Sequence, residues 1–267
     1  MAIDYIIGYD CVPKHHLTAE GIIDRVKARD RAETVIALYR EGGDQRPPSE
    51  MEFEMSRVTP AGEEESRVVN IQMMLDSARD LDPWAPYCKT CPANAAATPF
   101  GCYNIIQYPI SAAAERWLLD RLPGIEEPLM WLLLRQGALE LGYDGASVAP
   151  LRSDPSYFEE QRLPGRDLVE FVFTGNQVFE MLFLVGTIQP SHAGMLLLLF
   201  GAIPRGVEAD QIVGIMQRGI DIETIDRDYL FQFTADELDD ESIRQFKAFF
   251  YAVYKAWRLG VPVGLDV

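Results

Sequence analysis

Residues 234–260 read TADELDDESIRQFKAFFYAVYKAWRLG and carry a marked amphipathic pattern. Large apolar side chains recur there at the three- and four-residue spacing that places them on one face of a helix: Ile243, Phe246, Phe250, Val253 and Trp257. Thr234 followed by Glu237 has the pattern of a capping box, and Gly260 with Pro262 favours a helix end. We therefore predict a helix that begins at Thr234, ends at Gly260 and packs its apolar face into the core.

The rest of the chain alternates short apolar runs with further helical patterns. Residues 3–9 and 103–108 are typical of buried strands. Thr18 is a suitable cap for a helix that runs to Gly42, although the heavily charged middle leaves open one exposed helix or two shorter ones. A threonine, a proline and three glutamates at the start of residues 59–81 predict another helix there.

This alternation predicts an α+β fold that is mainly helical with a few short strands. A chain of 267 residues is long enough to bury a large core, so we expect a single compact domain over residues 1–267. The turn-rich segment 142–165 is a possible sub-boundary. Residues 83–102 form a proline-rich loop that contains three of the four cysteines.

The charge of the chain restricts its partners. Its 41 acidic and 24 basic side chains give a net charge of −17. Nucleic acids and anionic membranes are bound by basic faces that displace counterions, so neither is an expected partner. The start of the chain lacks the basic and apolar segments of a secretion signal, which predicts a cytoplasmic protein.

One apolar stretch, residues 181–204, contains no Asp, Glu, Lys or Arg and approaches the length of a membrane span. Its middle holds Gln189, Pro190, Ser191 and His192, which would interrupt a helix inside a bilayer. We therefore expect two buried segments joined by a turn.

The most specific signal for function is the spacing of the cysteines. Cys88 and Cys91 form a Cys-x-x-Cys pair, and Cys102 follows within the same loop. A short turn between two cysteines lets both sulfur atoms reach one metal ion about 2.3 Å away. Prolines in the loop reduce the entropy lost when it becomes ordered. The pattern predicts a zinc site.

A structural zinc site needs four ligands, and the loop supplies three. Cys11 follows the first predicted strand, and pairing that strand with the one at 103–108 would bring Cys11 close to the loop. His15 and His16 are the alternatives. The predicted metal ligands are therefore Cys88, Cys91, Cys102 and Cys11.

Other interpretations of the same cysteines remain open. An iron–sulfur cluster also uses thiolates, but the spacing matches neither common ferredoxin pattern. A redox dithiol is expected at a helix N-terminus after a strand, whereas a predicted helix and a proline-rich loop precede Cys88. The cysteines could also be ordinary reduced thiols, or Cys11 could be a nucleophile with His15 or His16 as its base.

No signature of a nucleotide-binding loop, a zinc protease or a serine hydrolase is present, and no catalytic residue is predicted. The sequence therefore favours a structural zinc site in a protein that acts through a protein partner. The alternative is an enzyme that uses an iron–sulfur cluster or a reactive thiol at the same cysteines.

Overall fold

The computed structural model describes residues 2–58, 64–217 and 220–266, with only the backbone described at 55–58 and 64–65. Contacts between residues divide the chain into two compact units. The larger unit comprises Met1–Tyr9 and Gly101–Val267, and the smaller unit comprises Asp10–Phe100.

The helices are α1 (Val12–Leu17), α2 (Ala19–Glu41), α3 (Ile71–Ala78), α4 (Ala112–Arg121), α5 (Pro128–Leu141), α6 (Ala149–Arg152), α7 (Gly175–Phe183), α8 (Pro190–Leu199), α9 (Ala209–Gln217), α10 (Ile222–Asp228) and α11 (Glu241–Leu259). The strands are β1 (Ala2–Ile7), β2 (Glu52–Val58), β3 (Glu64–Asn70), β4 (Tyr103–Gln107), β5 (Gly165–Asp167), β6 (Val172–Thr174), β7 (Thr187–Ile188) and β8 (Val263–Asp266). Helices dominate and the strands are short, so the predicted α+β class is confirmed.

A sheet with the strand order β4-β1-β8-β7 organises the larger unit. Its pairs are all antiparallel, and β1 lies between β4 and β8. Tyr5 is paired with Asn104 on one side and with Leu265 on the other. Five of the six residues of β1 are buried, which explains why this short run reads as a strand in the sequence.

The strand β4 forms one edge of this sheet. Two of its backbone N–H groups that point away from β1 donate hydrogen bonds to side chains. The N–H of Ile7 donates to the carbonyl of Cys102, so alternate residues of β4 face β1 and the others face outward. The outward N–H of Ile105 donates to Asn104 Oδ1 at 2.8 Å. That of Gln107 donates to Gln245 Oε1 of α11 at 2.7 Å.

Helix α11 packs its apolar face against this sheet and against other helices of the larger unit. Phe249 meets the ring of Tyr5 edge-on at 5.3 Å between centroids. Phe250 contacts Phe200, which follows α8, at 5.1 Å. Trp257 is fully buried, and its Nε1–H donates to the carbonyl of Ile215 in α9. The predicted apolar face is therefore the core of this unit.

The helix begins later than predicted. Asp240 is the N-cap, and its carboxylate accepts a hydrogen bond from the N–H of Ile243 at 2.8 Å. Residues 234–237 precede the helix because Asp236 and Asp239 close a separate turn, in which the N–H of Asp236 donates to Asp239 Oδ2. The capping-box prediction at Thr234 was therefore wrong, since an aspartate is an equally good cap.

The apolar stretch 181–204 forms the end of α7, the strand β7 and the buried helix α8, with breaks between them. In the described part of the chain no helix is long and apolar enough to cross a membrane.

The smaller unit consists of α1, α2 and α3 with the β2–β3 hairpin. Helix α2 is one continuous helix, which decides between the two possibilities left open by its sequence. Two small apolar clusters hold the unit together. One has Ala32, Met51, Ile71 and Met74 as its buried members; the other contains Cys88.

The helix predicted over residues 59–81 was wrong in part. Residues 59–63 lie outside the described residues, residues 64–70 belong to β3, and the helix there is limited to α3. Strand β3 pairs with β2 along its whole length, and this non-local pairing prevails over the local helix signals. Asn70, not Thr59, caps the helix by accepting a hydrogen bond from the N–H of Gln72 at 3.0 Å.

The division into units falls after Tyr9 and after Phe100. The single domain over residues 1–267 and the sub-boundary within 142–165 stay predictions. That segment lies inside the larger unit and contains the buried Arg152.

Candidate functional site

Cys88 lies in a tight turn of the smaller unit. Residues Ala85–Thr90 form a 3₁₀ segment, and Cys91 follows directly. The carbonyl of Cys88 accepts hydrogen bonds from the N–H of Cys91 at 3.4 Å and from Asn94 Nδ2 at 2.9 Å. These contacts tie the Cys-x-x-Cys pair to the chain that follows it.

The side chain of Cys88 is buried in an apolar cluster. Ile22 of α2, Leu81 and Phe100 are its buried neighbours, and 7% of Cys88 is exposed. Partly buried side chains pack around the cluster: Leu17, Val26, Trp84 and Ala85. The cysteine therefore has the surroundings of a small core residue.

The other two cysteines of this unit lie within electrostatic range of Cys88. Burial raises the pKa of the Cys88 thiol, while a hydrogen bond with the backbone of Phe100 opposes the rise. Negative charge on Cys91 and on Cys11 raises the pKa of Cys88 further. We call Cys11, Cys88 and Cys91 the three-thiol group.

Cys11 lies at the start of a helix. It is the N-cap of α1, with an extended backbone, and its carbonyl accepts hydrogen bonds from the N–H groups of Lys14 and His15. The sequence predicted Cys11 to approach the loop through the pairing of the first strand with residues 103–108. That pairing is present, since β1 and β4 are antiparallel neighbours.

The two histidines of α1 have different neighbours. His15 Nε2 lies 3.1 Å from Asp10 Oδ1, and both side chains are exposed. The ring of His16 stacks on Trp84 with 4.2 Å between centroids. Trp84 also packs against the apolar cluster of Cys88, so His16 is linked to that cluster through Trp84.

Cys102 belongs to the larger unit, where it is buried directly before β4. All four cysteines are free of disulfide bonds. Across residues 2–58, 64–217 and 220–266, no three or more His, Cys, Asp or Glu side chains are placed so that they could hold a metal ion. Cys11 and Cys91 thus act on the Cys88 thiol through their charge, and the four-ligand metal site stays a prediction.

One polar network in the larger unit was missed by the sequence analysis. Arg152 forms a bidentate ion pair with Glu115, and its Nε donates to Asn176 Oδ1 at 3.0 Å. All three residues are buried, and the guanidinium lies 3.7 Å from the ring centre of Phe158. Burial raises the pKa of Glu115, and Arg152 opposes that rise. In the sequence, the signal for this network is Glu115, a charged residue on the buried face of α4.

Comparisons of this chain with models of known protein families, with curated proteins and with solved structures find no match.

Proposed function

We propose that the three-thiol group binds one zinc ion, which fastens the Cys88 turn to the start of α1 in a cytoplasmic protein that acts through contacts with a protein partner. The observation that supports the proposal is the burial of Cys88 in the turn that leads directly to Cys91, with Cys11 near enough for its charge to raise the pKa of Cys88. These residues come from two segments far apart in the sequence, and a shared ion would link them as a structural zinc does.

The state of Cys88 favours a structural role over a reactive thiol. A thiolate is the nucleophile in thiol chemistry, and the raised pKa keeps Cys88 protonated at neutral pH. Its burial also restricts access to a substrate. Zinc displaces the proton when it binds, so a protonated, buried cysteine can still serve as a ligand.

Binding requires a rearrangement of the side chains. Zinc–sulfur bonds are about 2.3 Å long, so the sulfur atoms must move toward a common centre. The fourth ligand is proposed from His15 and His16. A move of His16 to the metal would end its stacking on Trp84, and the fluorescence of that tryptophan would report the change.

The test measures metal content and affinity together. The full chain is purified from zinc-supplemented cells, and zinc and iron are quantified by element analysis; we expect about one zinc per chain. Cobalt(II) is then titrated into metal-free protein, and its thiolate charge-transfer absorption shows sulfur ligation directly.

Variants identify the ligands. Cys88→Ser, Cys91→Ser and Cys11→Ser should each weaken zinc binding by more than the roughly 10–100-fold that loss of an outer-shell partner produces. Lys89→Ala is the matched control, because Lys89 is exposed in the same turn. His15→Ala and His16→Ala then decide the fourth ligand.

Zinc content near zero without cobalt–thiolate absorption would contradict the proposal. A brown protein that contains iron instead of zinc would replace it with the iron–sulfur alternative.

A further inference from the structure

A cavity of about 410 Å³ opens in the larger unit, at the N-terminal ends of α4 and α11. Its size lies within the range of small-ligand sites, about 300–1,000 Å³. The lining includes Tyr108, Ser111, Glu159, Asp240 and Glu241, and no Lys, Arg or His side chain belongs to it. The cavity is therefore a pocket with three carboxylates and no cation of its own.

Two of these carboxylates are held in place by helix ends. Asp240 caps α11 through Oδ1, and its Oδ2 accepts a hydrogen bond from Ser111 Oγ at 2.5 Å. Glu159 Oε2 accepts a hydrogen bond from the N–H of Ala112, the first residue of α4, at 3.2 Å. Helix N-termini favour hydrogen-bond acceptors, so both carboxylates are held at defined positions in the lining.

The charges of the neighbouring carboxylates are largely balanced, but those of Asp240 and Glu159 are not. Glu241 is paired with Arg244 at 2.7 Å, and Asp239 is paired with Lys247 at 2.6 Å. In the part of the chain that the structure describes, no basic side chain forms an ion pair with Asp240 or Glu159. A ligand that enters the cavity therefore meets two carboxylates that have no basic partner among the described residues.

An aromatic side chain completes the lining. The ring of Tyr108 is held edge-on against Tyr157 with 4.9 Å between centroids, and it also contacts Phe179. Its hydroxyl is buried, with no hydrogen-bond partner among the described residues. Aromatic rings favour the approach of organic cations, arginine above all.

We propose that this cavity binds a guanidinium group, either of a free small molecule or of an arginine side chain in a peptide. A guanidinium carries five N–H donors in a plane, enough to bridge Asp240 and Glu159 while it stacks against a ring. A metal ion fits less well, because these residues are not among any set placed to hold one in the described chain. The carboxylates without a basic partner and the ring of Tyr108 together favour this chemistry.

The experiment uses N-acetyl-argininamide as the probe and N-acetyl-citrullinamide as its uncharged isostere. Each is titrated into the full chain, and the backbone amide signals of Ala112 and Ile243 are followed by NMR, because their N–H groups bond to the two carboxylates. We expect saturable shifts with a Kd of about 1 mM or lower for the arginine probe. The citrulline probe should bind at least about tenfold more weakly, since it lacks the charge.

The variants remove one charge each and keep the fold. Asp240→Asn retains a good N-cap, and Glu159→Gln retains an acceptor for Ala112. Each should weaken the arginine probe by about tenfold or more. Asp221→Asn is the matched control: Asp221 caps α10 in the same way, with the N–H of Thr224 at 2.9 Å, and does not line the cavity.

Absence of saturable shifts at about 10 mM arginine probe, roughly ten times the expected Kd, overturns the proposal. The proposal is also overturned if the citrulline probe binds as tightly as the arginine probe. The same holds if Asp221→Asn weakens binding of the arginine probe as much as Asp240→Asn does. The peptide Gly-Arg-Gly separates the two sources. Tighter binding than that of the capped amino acid supports a peptide ligand, and equal binding supports a free guanidinium compound.

Discussion

The two longest helices, α2 and α11, stabilise their units in different ways. Helix α11 has 19 residues and buries ten of them, including Phe246 and Trp257. Helix α2 has 23 residues and buries Ile22 and Ala32. A helix gains most of its stability from packing an apolar face, so α11 is fixed by its core, whereas α2 is mainly a solvated helix.

This difference extends to the units that contain these helices. The larger unit combines the apolar face of α11 with a buried ion pair, Arg152–Glu115. The smaller unit has small clusters, and its α2 contacts α3 and the segment after it partly through exposed ion pairs such as Arg25–Asp80. We therefore expect the smaller unit to open at lower free energy and to gain more from a bound ligand.

The largest effect is expected in α11. Trp257→Ala removes a fully buried indole and its hydrogen bond to Ile215, and should lower the free energy of unfolding by about 3–5 kcal/mol. Hydrogen exchange of the α11 amides measures the change. Leu238→Ala is the control, because 91% of Leu238 is exposed; its effect should stay within about 0.5 kcal/mol. Equal effects of the two substitutions would mean that burial of Trp257 does not stabilise α11.

A comparable effect is expected in the buried ion pair. Arg152→Met leaves the Glu115 carboxylate buried without its partner and should destabilise the larger unit by about 3–5 kcal/mol. The double variant Arg152→Met with Glu115→Leu should regain most of the loss, because no charge then stays buried. Denaturant unfolding of both variants checks the expectation. A double variant as unstable as the single one would mean that the polar pairing itself supports this unit.

A smaller effect is expected at Cys88. In metal-free protein, Cys88→Ser places a hydroxyl in the apolar cluster and should destabilise the smaller unit by about 1–3 kcal/mol. Cys88→Ala keeps the site apolar and should cost less. Exchange of the α2 amides provides the measurement. Equal losses for serine and alanine would show that the cluster tolerates a polar group.

The pH dependence of the smaller unit follows from the same thiol. The ordinary pKa of the cysteine thiol is 9.0, and burial raises that of Cys88 above this value in the folded state. The folded state then retains the proton longer than the unfolded state. The contribution of Cys88 to stability should be constant below about pH 9 and should be lost as the pH rises through the folded pKa. Cys88→Ala should lack this decrease in metal-free protein; if it retains the decrease, another group is responsible.

The smallest effect is expected for the exposed pair Arg25–Asp80. The Asp80 side chain is 58% exposed, and the distance to Arg25 is 3.1 Å. Arg25→Gln should change the free energy of unfolding by about 0.2–1 kcal/mol, and less at high salt. Chemical denaturation at two salt concentrations tests this. A loss above about 2 kcal/mol would mean that polar contacts, and not the small clusters, hold α2 in place.

Predictions from the sequence succeeded where a pattern is local. The apolar spacing of α11, the strands β1 and β4, and the cap at Thr18 are signals contained within a few turns or residues. The start of α11 was misplaced because Asp240, a second suitable cap, follows Thr234 closely in the sequence. Strand β3 was missed because its pairing partner, β2, determines its conformation.

The residues of the candidate site differ in the same way. The spacing of Cys88 and Cys91 is visible in the sequence, and the approach of Cys11 was expected from strand order. The ion pair of Glu115 with Arg152 joins residues 37 positions apart, and the cavity beside Ser111 and Asp240 joins residues 129 apart. Neither leaves a periodic signal, because only the tertiary fold brings these residues together.

The hydrogen bonds along the outer edge of β4 bear on the behaviour of the protein in concentrated solution. An open strand edge is a template on which another chain can add a strand, and growth of this kind leads to aggregates. The amides of Ile105 and Gln107 already donate to Asn104 and Gln245, so an incoming strand would have to displace both side chains. Together with mutual repulsion between chains of charge −17, this protected edge should slow the nucleation of fibrils.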